Sequence, residues 1–126
     1  MTTLYITSSE TFSGKSALCI GLGKRLLCDG LKVGYMKPVN TLAQFRAGVP
    51  YDADAEFAKQ IFDLPDPPEI LSPVAITPQQ AKAILKGGDK TDYEARLLAA
   101  CAQVCQKRDV VILEGGYSLR EGYVVG

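Results

Sequence analysis

The 126 residues suffice for one domain, able to bury roughly two-thirds of the surface that its unfolded chain exposes. Fourteen Lys and Arg balance fourteen Asp and Glu, so no net field favours nucleic acid or a membrane surface. No apolar run reaches transmembrane length, and the N-terminus lacks the layout of a signal peptide, so a cytoplasmic location is expected.

Residues 3–7, TLYIT, are rich in β-branched and aromatic side chains and predict a first strand. The next stretch, SSETFSGKSA, ends in Gly14-Lys15-Ser16, the core of a phosphate-cradling loop. The usual pattern, G-x-x-x-x-G-K-[ST], asks for glycine at position 9, where this chain has Ser9. Residues 15–28 predict a helix with Leu18, Leu22 and Leu26 on one stripe. Its Gly21 and Gly23 cost helix propensity and are expected to allow close packing on a sheet, and Gly30 closes it. KVGYMKP, residues 32–38, predicts a second strand that stops at Pro38. An aspartate in YDADAEFAKQIF caps a second helix.

The proline-rich stretch at 65–73 reads as a loop. TPQQAKAILKGG reads as a short helix: Thr77 is the cap, Pro78 lies in the first turn, Gln80 completes a capping box and Gly87 ends it. TDYEARLLAACAQVCQKR repeats that logic with Thr91 and Glu94 as the box. DVVILEGG, residues 109–116, is apolar over four consecutive positions, as in a strand covered on both faces.

Cys101 and Cys105 sit four apart in the last predicted helix and share a face. With no second pair and no histidine they make a poor zinc site, so all four cysteines, Cys19 and Cys28 included, read as small buried hydrophobes. The absence of histidine also removes the usual general base, which excludes a Ser-His or Cys-His hydrolase.

Strands alternating with helices of this length predict an α/β fold, a parallel sheet with right-handed crossovers and helices on both faces. Ligands of such sheets bind beyond the carboxyl ends of the strands. Each predicted strand ends in a residue that a nucleotide–Mg²⁺ site uses. The first runs into the glycine-lysine-serine loop, where Ser13, Gly14, Lys15, Ser16 and Ala17 are the expected nucleotide contacts at a helix N-terminus. There Lys15 reaches phosphate oxygens and the Ser16 hydroxyl binds Mg²⁺. The second strand ends at Lys37, placed to hold a phosphate or an anionic intermediate. The third delivers Glu114 in the manner of a Walker B strand, with Gly115 and Gly116 letting backbone approach a ligand. Of Asp52 and Asp54, one is the helix cap and the other a second carboxylate near the metal. Thr11 is the loop residue best suited to touch phosphate or substrate.

SSETFSGKS, GYMKPVNT, DADAEFA, LSPVAITPQQAKA and VVILEGG, spread over residues 4–117, resemble the P-loop, second strand, aspartate segment, proline loop and Val-Glu-Gly strand of dethiobiotin synthetase. The frame S-x₅-G-K-S is similar to that family's longer P-loop, with Ser8 in place of its first glycine. The resemblance implies a three-layer P-loop NTPase-type sheet. It also implies that Lys15, Ser16, Asp54 and Glu114 hold ATP phosphates and Mg²⁺, and that Lys37, Thr41 and Thr11 contact substrate or a carbamate intermediate. Phe12 stands where the synthetases carry glutamate, and Tyr117 and Ser118 replace their further glycines. In SSETFSGKS and EGGYSLREG the chain looks closer to the synthetase-like domain at the N-terminus of some phosphate acetyltransferases and to related stand-alone proteins.

That resemblance implies a nucleotide-binding, regulatory role; the alternatives are an ATP-dependent cyclo-ligase of the dethiobiotin synthetase type and a structural α/β fragment without activity. It further implies that residues 1–126 are the N-terminal portion of a single P-loop domain, truncated after the third strand of a sheet that continues in the family. The open sheet edge then predicts a homo-oligomer, a dimer in the simplest case.

Overall fold

The computed structural model describes residues 2–7, 14–40, 43–88 and 91–115. In chain order the elements are β1 (Thr2–Ile6), α1 (Lys15–Cys28), β2 (Val33–Met36), β3 (Val39–Asn40), β4 (Gln44–Arg46), β5 (Val49–Tyr51), α2 (Ala53–Phe62), α3 (Pro68–Leu71), β6 (Val74–Ala75), α4 (Pro78–Leu85), α5 (Tyr93–Cys105) and β7 (Val110–Glu114).

The three strands expected from the sequence form one parallel sheet in the order β1-β7-β2. The last in sequence is therefore the central strand, with Ile6 opposite Glu114 on one side and Met36 opposite Leu113 on the other. A central strand has no solvent face, which explains the unbroken apolar run: Val110, Val111 and Ile112 are all buried.

Helices cover both faces of this sheet. A side chain at Gly34 would press on Val104 of α5 and on Val111, so that face of β2 and β7 looks toward α5. Neighbouring strand residues point the opposite way, and there Tyr35 meets Phe62 of α2 edge to face at 6.3 Å.

The helix ends follow the rules of local capping, with corrections. Helix α1 closes at Gly30 in the left-handed region (φ 83°), whose N–H reaches the Leu27 carbonyl while that of Leu31 reaches Leu26. Its buried stripe is Cys19 and Gly23, whereas Leu18 is exposed, so the expected leucine stripe is displaced by about one position. Gly23 does permit close packing, but against the Phe62 ring of α2 rather than the sheet, and Gly21 has open space around it. Helix α4 carries the full Thr77–Gln80 capping box. Helix α5 is capped by Asp92, which accepts from the Ala95 N–H at 2.9 Å, not by the Thr91–Glu94 pair.

The proline-rich stretch at 65–73 is not wholly a loop, because Pro68–Leu71 forms one helical turn. Leu71 is fully buried and its carbonyl accepts the Lys37 N–H at 2.7 Å, just before β3 pairs in parallel with β6. Strands β4 and β5 make an antiparallel hairpin over Ala47 and Gly48, both at positive φ. Two positive-φ positions in a row suit the right-handed twist of the flanking strands. Among the described residues no helix is long and apolar enough to cross a membrane.

Candidate nucleotide site at the carboxyl rim of the sheet

The site is assembled where β1 and β7 end and α1 begins. Gly14 precedes α1 with φ 83°, a backbone setting that glycine adopts without strain. No acidic residue lies in the first turn of α1, and no side chain among the described residues caps it. The first-turn N–H groups of Lys15, Ser16 and Ala17 therefore stand at the positive end of the helix dipole with no intrahelical acceptor. Ser13 and Thr11, and Thr41, expected at a substrate contact, lie outside the described residues.

Glu114 is the hub of the rim. Its side chain is 1% exposed, delivered by the end of β7. Ser16 Oγ donates to Glu114 Oε1 at 2.5 Å, linking α1 to the central strand across 98 positions of sequence. The Tyr35 hydroxyl donates to the other oxygen, Oε2, from β2. Each carboxylate oxygen thus has a donor from a different element, which fixes the orientation of the group. Tyr35 holds its proton well above the usual phenol range, first because it is buried and then because the Glu114 carboxylate sits against it.

Cys19, one turn into α1, is fully buried close to this end of the helix. Burial pushes its pKa up to about 12; the charges of Glu114 and Asp54 add to the rise and that of Lys15 opposes it. Lys15 opens α1 beside Ser16, whose hydroxyl bonds Glu114, so the start of α1 and the end of β7 share one rim.

Lys37 was expected to project into the crevice. Instead its side chain is 2% exposed, with Nζ 3.0 Å from Asp52 Oδ2 and 2.9 Å from Asp54 Oδ2. Burial alone would lower the ammonium pKa, but the two carboxylates outweigh it and hold the value above the ordinary lysine range. Of the two aspartates Asp52 is the helix cap, and it does more than cap. Oδ1 accepts from the Ala55 N–H at 2.9 Å, while Oδ2 accepts from Asn40 Nδ2 at 2.6 Å and faces Lys37. Asp54 is the more open partner, with 41% of its side chain exposed.

The donor set suits a hard cation. A serine hydroxyl and a carboxylate oxygen already 2.5 Å apart are the oxygen ligands that Mg²⁺ accepts, with water filling most of its shell. The described residues contain no cluster of three or more His, Cys, Asp or Glu suited to a metal. Ser16 and Glu114 are brought together, while Asp54 is drawn toward Lys37.

Gly115 has a different role from the one expected. A Cβ there would lie 2.8 Å from Thr7 Oγ1, and its N–H donates to the Ile6 carbonyl at 2.7 Å. The glycine lets the ends of β7 and β1 close on each other; Gly116, like Tyr117 and Ser118, is outside the described residues. Two participants escaped the sequence reading, Tyr35 and Asn40. A signal existed for Tyr35, since a tyrosine inside a fully buried strand needs a partner for its hydroxyl.

Comparison with known proteins matches this architecture. Residues 2–125 match the family described as AAA domain. The chain is 25% identical over 121 residues to the phosphate acetyltransferase of Deinococcus radiodurans, covering 96% of this chain and 16% of that protein. The chain thus spans about a sixth of the length of that curated relative. A parallel α/β sheet, a glycine-lysine-serine turn opening α1 and a family match over nearly every residue lead to one conclusion: this chain belongs to the AAA domain family, a P-loop fold of nucleotide-binding type.

Proposed function

We propose that this domain binds ATP with Mg²⁺ at the start of α1 and serves as a regulatory, nucleotide-sensing unit of a phosphate acetyltransferase-type protein. The observation that carries the reading is the Ser16–Glu114 contact, 2.5 Å across at the foot of a helix that no side chain among the described residues caps. Backbone N–H groups of Lys15, Ser16 and Ala17 receive the phosphates, and the Lys15 ammonium neutralises their charge. Ser16 and Glu114 hold the cation directly or through its waters, and Asp54 adds negative charge nearby. When bound, Mg²⁺ screens the phosphate charge and fixes the nucleotide's orientation.

Regulation is favoured over ring-closing chemistry by Lys37. A ligase of the dethiobiotin synthetase type needs a cationic arm for its carbamate, and here that ammonium is set between two carboxylates. Binding without turnover then acts by stabilising one conformation of the longer protein.

Calorimetric titration of ATP–Mg²⁺ tests the reading. Saturable, Mg²⁺-dependent binding is expected, lost in Lys15→Ala and weakened in Glu114→Gln. Equal binding by Lys15→Ala, or none by the unaltered protein, overturns it. Release of ADP in the presence of a diamine and bicarbonate would transfer the assignment to the cyclo-ligase.

A further inference from the structure

Nucleotide binding at the start of α1 gives Tyr35 no task, yet its hydroxyl lies against the central carboxylate of the rim. The ring sits within β2 opposite Ile112, fully buried and edge to face with Phe62. Phenylalanine would fill that space equally well, so packing alone does not call for the hydroxyl. A buried hydroxyl is costly unless it is bonded, and this one donates to Glu114 Oε2, 79 positions away.

The consequence lies in how Glu114 can face a cation. Oε1 accepts from the half-buried Ser16 at the foot of α1, while Oε2 is tied to β2 through Tyr35. The carboxylate is 1% exposed, and turning both oxygens toward one ion would pull Oε2 off the Tyr35 hydroxyl. Glu114 thus offers a cation one oxygen, directly or through water.

Divalent cations differ in what they ask of a carboxylate. Mg²⁺ is small and octahedral, about 2.0–2.1 Å from its ligands, and keeps several waters. Ca²⁺ takes about 6–8 oxygens at roughly 2.3–2.6 Å and often grips a carboxylate by both. We propose that Tyr35 is a positioning residue: by holding Oε2 it keeps Glu114 a single-oxygen partner and sets the rim for Mg²⁺ against Ca²⁺. The inference rests on the nucleotide reading, and adds to it a role that binding of ATP does not by itself require.

The test compares ATP affinity by calorimetric titration with Mg²⁺ and with Ca²⁺, in the unaltered protein and in Tyr35→Phe. The unaltered protein should bind ATP more tightly with Mg²⁺. In Tyr35→Phe the Mg²⁺-to-Ca²⁺ affinity ratio should fall about tenfold, the worth of one hydrogen bond to a charged group, chiefly through a gain with Ca²⁺. A merely structural role would weaken binding with both cations alike, and an unchanged ratio overturns the inference. A second reading needs no variant: equal affinity with the two cations in the unaltered protein overturns the inference and leaves nucleotide binding standing. Absence of ATP binding with either cation overturns the nucleotide reading, and this inference with it.

Discussion

The Phe62 ring of α2 fills the space that a side chain at Gly23 of α1 would occupy: a Cβ there would come within 2.7 Å of Phe62 Cε1. This contact sets how closely the two helices approach on the Tyr35 face of the sheet. Gly23→Ala should destabilise the domain by about 1–3 kcal/mol, the usual cost of overpacking. Gly21→Ala, two residues away in open space, should stabilise it by roughly 0.5–1 kcal/mol, because alanine loses less entropy in a helix. Urea unfolding of the two variants checks the opposite signs.

Tyr35→Phe keeps the ring against Phe62 and removes only the hydroxyl, leaving one oxygen of the buried Glu114 carboxylate without that donor. A loss of about 1–3 kcal/mol is expected from the uncompensated acceptor. The double variant Tyr35→Phe with Glu114→Gln should lose less than the sum of the two singles, since the pair shares one interaction. Chemical denaturation of the four proteins in the cycle measures it.

The Lys37 clasp makes a third prediction. Lys37→Met strands the buried Asp52 carboxylate and should cost about 3–5 kcal/mol, the range for breaking a buried ion pair by removing one partner. Adding Asp52→Asn removes the stranded charge while keeping an Asn side chain that can still cap α2, so part of the loss should return. Thermal unfolding in the pair of variants reads the recovery.

Stability should fall on the alkaline side. Cys19, Tyr35 and Lys37 all hold protons more tightly in the folded chain than when unfolded, so the unfolded state releases protons first as pH rises. Their contribution is complete below the ordinary values and is lost as pH climbs through the folded ones. For Cys19 that window runs from about 9 to about 12. Melting temperature should therefore drop steeply across it, and less steeply in Cys19→Ala. A flat profile from pH 8 to 11 would contradict the placement of these three groups.

What could be read from the sequence was what residues decide locally. The Thr77-Pro78-Gln80 start of α4, an aspartate cap on α2 and the Gly30 and Gly87 stops depend on neighbours within a turn, and all are present, the cap being Asp52. The three main strands were legible because β-branched runs this apolar have few alternatives. Strands β3 and β6, two residues each, were not, because they exist only through pairing with each other across the fold. The hairpin hid behind Ala47, which takes a positive φ that sequence rules reserve for Asn, Asp or Gly. At the rim, Glu114 and the Lys15-Ser16 pair were visible as strand-end and helix-start chemistry. The burial of Lys37 between two aspartates was not, since nothing in a single lysine says which acids will fold against it.

The order β1-β7-β2 has a temporal meaning as well. During synthesis the outer two strands emerge first, yet among the described residues neither has a partner in this sheet until Val110–Glu114 slides between them. Native pairing must wait for a segment more than seventy residues downstream of β2, so the early-made apolar edges stay unpaired until that segment emerges. The same late arrival brings Glu114 to the foot of α1, so the β1-β7-β2 pairing and the Ser16–Glu114 bond form together.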